Sequence, residues 1–286
     1  MTTLLDGKAV AAVIRQEIIT IVGEYSRMGL RPRLDAVLVG DDPGSVHYAR
    51  AKQRVAESLG VEFRLHQYPG TTNDGELLEG LHALNTDAAV HGIILELPLP
   101  RHLNRIRVLE GVAPVKDVDG VHPLNRGRLV SGIEGLYPAT PLSCLEILRA
   151  YGIEIAGRHA VVVGRGETVG KPLVFLLLRE NATVTVCHTQ TADLAGHTRQ
   201  ADLLVTAAGS PGLIGADMVK PGAVVLDAGI CAVDGGIRGD VQFEAVRKMV
   251  SAITPVPGGI GSVTTVLVLK NLLQAMKMQG ADGGGE

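Results

Sequence analysis

The apolar run Gly92-Ile93-Ile94-Leu95 stops at Glu96 and is followed by Leu97-Pro98-Leu99-Pro100. Proline cannot continue a hydrogen-bonded ladder, so the pattern reads as a buried strand that delivers one carboxylate to a cleft rim. Tyr48 and Lys52, four apart after Gly40-Asp41-Asp42-Pro43-Gly44-Ser45, share one face of a helix and can both point into a cleft. Taken alone, that spacing also fits a tyrosine packed at a helix start beside an exposed lysine. Further on, Ala160-Val161-Val162-Val163 runs into Gly164-Arg165-Gly166-Glu167-Thr168-Val169-Gly170-Lys171-Pro172 and then into apolar residues. Strand, glycine turn and helix in that order let the backbone approach a pyrophosphate, while the helix N-terminus offers unpaired N–H groups and the positive end of its dipole.

The elements that must position these groups follow from the hydrophobic period. Val10, Val13, Ile14, Ile18, Ile21 and Val22 repeat at helical spacing after Asp6-Gly7, which predicts a first helix ending before Gly29. Strands are predicted at 34–39 and 61–68 and helices at 45–59 and 74–84, ahead of the strand that stops at Glu96. From 111 to 141 both periods fade, and Pro114, Pro123, Pro138 and Pro141 mark connections and a domain crossing near Tyr137. A second series has strands at 159–163, 183–187, 203–207 and 224–227, with helices after the first two. The last helix, 263–278, has too few partners to fold alone and is expected to return to the first domain. Strands alternating with helices predict an α/β fold with parallel, covered sheets. The expected domains are 1–137 with the returning helix 263–279, and 138–262, followed by a mobile tail at 280–286.

Composition narrows the function classes. A chain of 286 residues with 46% hydrophobic content can bury a substantial core, and its net charge of -3 leaves no basic patch of the kind nucleic acid needs. Aromatic residues make up only 3% and tryptophan is absent, so base-stacking platforms are not expected either. Asp6, Lys8 and Arg15 interrupt the start before a signal peptide could form, and no stretch approaches the ~20 apolar residues of a membrane span, so a cytoplasmic protein is expected. Cys144, Cys187 and Cys231 read as small buried hydrophobes, and the nine histidines show no metal-ligand spacing.

The spacing G-x-G-x-x-x-G also fits a tight turn without a ligand, but the following strand agrees with a dinucleotide site. An NAD enzyme would place an acid at the end of that strand, against the ribose hydroxyl. Here the residues are Cys187-His188-Thr189, and Arg165 within the turn can pair a phosphate, which favours NADP. Arg165 reads alternatively as a solvated surface charge. Tyr-x-x-x-Lys is also the catalytic pair of short-chain dehydrogenases, but in that family it follows the glycine turn, whereas here it precedes it by more than a hundred residues.

Six motifs in order carry a closer resemblance: G-D-D-P-G-S-x-x-Y-x-x-x-K, G-I-I-L-E-L-P-L-P, Lys116-Asp117-Val118-Asp119-Gly120-Val121-His122-Pro123-Leu124-Asn125, Pro138-Ala139-Thr140-Pro141, G-R-G-x-x-V-G-x-P and T-P-V-P-G-G-I-G. Over about 4–272 the chain resembles the methylenetetrahydrofolate dehydrogenase/methenyltetrahydrofolate cyclohydrolases. That resemblance implies an N-terminal folate-binding domain, a Rossmann-like NADP domain, a cleft between them and a homodimer. It implies Lys52 as general acid/base, Tyr48 stacked on the pterin and Asp119 hydrogen-bonded to the pterin ring, although Asp119-Gly120 alone also reads as a turn. Pro257, Gly258 and Gly259 would form a substrate-side wall, and Gly164, Arg165, Gly166, Thr189 and Ile230 would contact NADP. The implied chemistry is oxidation of 5,10-methylenetetrahydrofolate, then water addition and ring opening to 10-formyltetrahydrofolate with proton transfers through Lys52.

The chain departs from that family's usual pattern at Glu96, where glutamine is normal. An ionised Glu96 close to Lys52 would favour the ammonium form and burden the second step more than the first. A Glu96 that itself held the proton would instead copy the amide and leave both steps intact. Ala139 replaces a usual cysteine, and Ser262-Val263 a usual Pro-Met beside the expected wall.

Overall fold

The computed structural model describes residues 1–233 and 236–281, so the expected tail lies, from residue 282 on, outside the described residues. Along the chain the first elements are β1 (Thr3–Leu4), α1 (Gly7–Arg27), β2 (Arg33–Val39), α2 (Pro43–Ser58), β3 (Glu62–Tyr68), α3 (Asp74–Thr86), β4 (Gly92–Leu95), α4 (Arg105–Glu110) and α5 (Pro123–Ser131). There follow α6 (Ala139–Ala150), β5 (His159–Val163), α7 (Gly170–Arg179), β6 (Thr183–Cys187), α8 (Leu194–Thr198), β7 (Leu203–Thr206) and β8 (Val224–Asp227). The chain ends with β9 (Cys231–Val233), β10 (Gly236–Arg238), α9 (Phe243–Val246), β11 (Ala252–Ile253) and α10 (Ile260–Met278). Among the described residues no helix is long and apolar enough to cross a membrane.

Two compact units result, one of residues 1–13 with 140–264 and one of 14–139 with the residues from 265 on. In the second of these, β2 runs parallel between β3 and β4, with Leu34 beside Phe63 and Gly92, and all seven β2 residues are buried. Val37, Val39, Ile93 and Leu95 pack with Leu77, Leu81 and Leu84 of α3, so the buried strand is covered as a parallel strand requires. In the other unit the sheet order is β1-β11-β8-β7-β5-β6, every pair parallel. β6 lies on one side of β5 and β7 on the other, so the strand order reverses at β5, where an open α/β sheet forms its ligand crevice.

Several elements differ from the sequence expectation, each for a physical reason. Residues 1–13 group with 140–264 rather than with the N-terminal domain, because Thr3 and Leu4 pair with Ala252 and Ile253. Two-residue strands such as β1 and β11 carry no readable period. Helix α5 arises where both periods fade, and α4 and α6 where no element was expected; α4 and α5 each bury only two residues and depend on caps. The Asn104 side chain accepts from Arg107 N, and the His122 ring accepts from Leu124 N beside Pro123, which opens α5. Val13, counted in the α1 stripe, is exposed, and Cys231 is only partly buried, whereas Cys144 and Cys187 are buried.

Candidate active site

Lys52 and Glu96 form a two-pronged ion pair. Lys52 Nζ lies 2.9 Å from Glu96 Oε1 and 2.7 Å from Oε2. The carboxylate is held by the end of β4, where Glu96 N donates to Val37 O at 2.9 Å, and only 5% of the Glu96 side chain is exposed. The amine comes from α2, whose start is fixed by Pro43 and by the Asp42 side chain accepting from Ser45 N and Ser45 Oγ. These three motif residues therefore set the helix, and the helix sets Lys52. Tyr48, one turn earlier, is half exposed, with its ring edge-on to His47 at 6.2 Å.

Lys116, Asp117 and Val118 anchor the segment that carries Asp119. Buried Lys116 donates to the carbonyls of Leu84, Asn85 and Asp87, closing the C-terminal end of α3 with a cation. Burial pushes its amine below the usual lysine range, and Asp87 and Asp35 oppose that shift. Asp117 accepts from Val121 N, His122 N and Asn125 Nδ2, which shapes the entry to α5. From α10, Asn271 Nδ2 donates to Val118 O at 2.8 Å and to Tyr137 O at 2.9 Å. Asp119 itself keeps a partly open face. The protein around its carboxyl is nevertheless dense, and burial pushes that group up to about 7, with Lys52 pulling the other way and Asp117 and Glu96 adding to the rise.

The cofactor motif lies in the other unit. Gly164 has φ 118°, and a Cβ there would come within 2.2 Å of Ala207 O, so only glycine lets the turn approach the end of β7. At Gly166 a Cβ would meet nothing within 4 Å, and α7 begins behind Val169 with no side-chain cap. A bare turn beside a helix start without a capping side chain fits a phosphate group. Arg165 and Thr189 are exposed and Ile230 is half exposed. The same unit contains Pro257, Gly258 and Gly259. Gly258 has φ 105° and accepts from Gly7 N at 2.9 Å, and a Cβ on Gly7 would lie 2.0 Å from Gly259 O.

The model of the tetrahydrofolate dehydrogenase/cyclohydrolase catalytic domain matches residues 5–119, and that of the corresponding NAD(P)-binding domain matches 138–280. The chain belongs to the tetrahydrofolate dehydrogenase/cyclohydrolase family. It is 54% identical over 283 residues to the bifunctional protein FolD 2 of Desulfitobacterium hafniense, covering 99% of this chain and 100% of that one. The crystal structure of the bifunctional FolD enzyme from Campylobacter jejuni is similar with a TM-score of 0.96 and 42% identity, covering 98% of this chain and all of the other. The Trypanosoma brucei dehydrogenase-cyclohydrolase, solved with NADP cofactor and an inhibitor, has a TM-score of 0.93 and 37% identity, covering 97% of this chain and 98% of that one.

Within this tetrahydrofolate dehydrogenase/cyclohydrolase, Tyr48, Lys52, Glu96 and Asp119 belong to one compact unit. Gly164, Arg165, Gly166, Thr189, Ile230, Pro257, Gly258 and Gly259 belong to the other. Sequence reasoning missed Gly7, Asn271 and the buried acids Asp227 and Asp240. For Asp227 a signal was present, because Val224-Val225-Leu226-Asp227 repeats the pattern of an apolar run stopped by a carboxylate. Asp240, Gly7 and Asn271 act on backbone groups far away in sequence, and residue type alone gives no sign of such partners.

Two predictions follow from this geometry. Gly7→Ala forces overlap with the Gly259 backbone and should destabilise the chain by about 1–3 kcal/mol. Gly23→Ala, in the same helix with nothing within 4 Å of the added carbon, should stabilise it by about 0.5–1 kcal/mol. Urea denaturation checks both, and equal effects would contradict the close approach at Gly7. The Asp119 carboxyl titrates near 3.8 ordinarily and near 7 here, so the folded chain holds an extra proton between those values and this group's contribution to stability is lost as pH rises through that window. In Asp119→Asn, stability at about pH 7 relative to about pH 4.5 should therefore rise. A pH series of unfolding midpoints that parallels the wild type would contradict this.

Proposed function

We propose that this chain catalyses the NADP-dependent oxidation of 5,10-methylenetetrahydrofolate to the 5,10-methenyl compound and the hydrolysis of that compound to 10-formyltetrahydrofolate. The observation that carries the reading is the Lys52 amine fixed at 2.7 and 2.9 Å on a buried carboxylate, one turn from an exposed tyrosine, in a member of this family. Lys52 serves as the general acid/base of the hydrolytic step, Tyr48 stacks on the pterin, and Asp119 hydrogen-bonds the pterin ring. Pro257, Gly258 and Gly259 form a substrate-side wall with little side-chain bulk. Gly164, Arg165, Gly166, Thr189 and Ile230 hold NADP, with its phosphates toward the bare turn and the start of α7. NADP supplies the hydride acceptor for the first step.

The chain's own contribution to oxidation is alignment, since no proton need leave through Lys52. Water addition and ring opening do require proton transfer, and there the state of the Lys52–Glu96 pair matters. Both carboxylate oxygens of Glu96 hold the Lys52 amine, so Glu96 fixes the position from which Lys52 would exchange protons with the substrate. A homodimer working in the cytoplasm belongs to the same proposal, and a solution mass equal to one chain would overturn the dimer.

In Lys52→Met the cyclohydrolase rate should fall by a factor on the order of 10²–10⁴ while oxidation continues, so methenyl product accumulates alongside reduced cofactor. Following both species by absorbance tests this, and an equal loss of the two activities would refute the assigned role. In Glu96→Gln the ratio of cyclohydrolase to dehydrogenase rate should increase. An unchanged ratio would mean that the charge of Glu96 has no bearing on the second step.

A further inference from the structure

Two acids outside the described folate site join the loops of the cofactor-binding unit. Asp240 is fully buried, and its carboxylate collects three consecutive backbone donors of the loop after β7. Ala208 N lies 2.7 Å and Gly209 N 3.3 Å from Oδ2, and Ser210 N lies 2.7 Å from Oδ1. Asp240 is itself positioned by Asp227 at the end of β8. Asp227 Oδ1 accepts from Asp240 N at 3.1 Å, Gly229 N at 3.0 Å and Thr206 Oγ1 at 3.1 Å, and its Oδ2 accepts from Val241 N at 2.9 Å. Asp227 N in turn donates to Thr254 Oγ1 at 2.8 Å.

Every oxygen of the two carboxylates is engaged by the chain, so the pair works as internal scaffolding. What it braces is specific. The loop held by Asp240 begins at Ala207, the residue whose carbonyl bounds Gly164, and Ala207 N donates to Val163 O at 2.7 Å at the mouth of the glycine turn. Gly229, held by Asp227, immediately precedes Ile230. The two acids thus tie the flank of the phosphate turn to the segment carrying Ile230, with hydrogen bonds whose donors are nearly all backbone amides.

We propose that Asp240 is a positioning residue for NADP: by gathering the amides of Ala208, Gly209 and Ser210 it fixes the loop that backs the Gly164 turn, so cofactor affinity depends on it while folate chemistry does not. This rests on the proposed function, in which that turn holds NADP. Asparagine at 240 cannot restore the contacts, because both oxygens accept from N–H groups, and either orientation of the amide turns an NH₂ toward a backbone donor. Alanine removes all three contacts.

Titration calorimetry with NADP on the full chain tests the idea. Asp240→Ala should weaken binding by about tenfold or more, and Asp240→Asn by an intermediate factor, through loss of pre-organisation. The hydrolysis of methenyltetrahydrofolate, assayed without any nicotinamide, should change by less than about twofold, a split that a merely global loss of stability would not produce. Wild-type affinity in a folded Asp240→Ala variant would overturn the assignment. Amide exchange in the wild-type chain without cofactor gives a readout that needs no variant. Protection at 208–210 matching that of β7 supports the clamp, and unprotected exchange there overturns it. Failure of the wild-type chain itself to bind NADP would instead refute the proposed function, and this role with it.

Discussion

A carboxylate at the end of a buried strand cannot remain charged without a partner, and the contact between Glu96 and Lys52 meets that constraint. Losing one member of a fully buried pair typically costs about 3–5 kcal/mol, since the survivor is left in a poor solvent; the partial exposure of Lys52 reduces that figure here. The rest of the folate-side unit can be understood as support for this contact. The Asp42 cap and Pro43 fix where α2 begins, β2 carries Glu96 through its Val37 carbonyl, and the two prolines after Glu96 stop the strand at the carboxylate. Asp119 stands in the same field, and the rise of its carboxyl to about 7 records both its burial and the neighbouring acids.

The cofactor-binding unit solves a different problem with the same side chain. In the proposed reading its glycine turn is bare so as to admit a phosphate, and its stiffness is assigned to Asp240 and Asp227, whose oxygens accept almost entirely from main-chain N–H groups. In the unit that contains Glu96, that carboxylate meets a single side-chain cation, Lys52. On the cofactor side carboxylates meet rigid amides, and the result is shape.

Most long elements were legible in the sequence because each repeats its apolar residues over several turns or a full strand, but the twelve-residue α6 was not, since Pro138 and Pro141 around its start read as a connection. α1, α2, α3 and α10, and strands β2 to β8, lie close to where periodicity placed them. β1, β11 and the β9–β10 hairpin are two or three residues long, too short for any period, and α4 and α5 depend on local caps. For the candidate site, the strand stopped by Glu96 and the shared helix face of Tyr48 and Lys52 were readable from spacing. That the two meet followed only from the resemblance of six ordered motifs, since nothing local links residues 44 apart. Lys116 and Asp117 stand in one of those motifs, yet their work is to cap α3 and shape the turn before α5. Motif membership alone does not separate such supports from residues that meet substrate.

The most direct test is a double-mutant cycle of Lys52→Met and Glu96→Gln read on the cyclohydrolase rate. If Glu96 acts on the second step only through the Lys52 amine, the substitution at 96 should have no further effect once the amine is gone, leaving a strong coupling between the two sites. Effects that simply multiply, so that Glu96→Gln changes the rate by the same factor with or without Lys52, would contradict the central role of this ion pair.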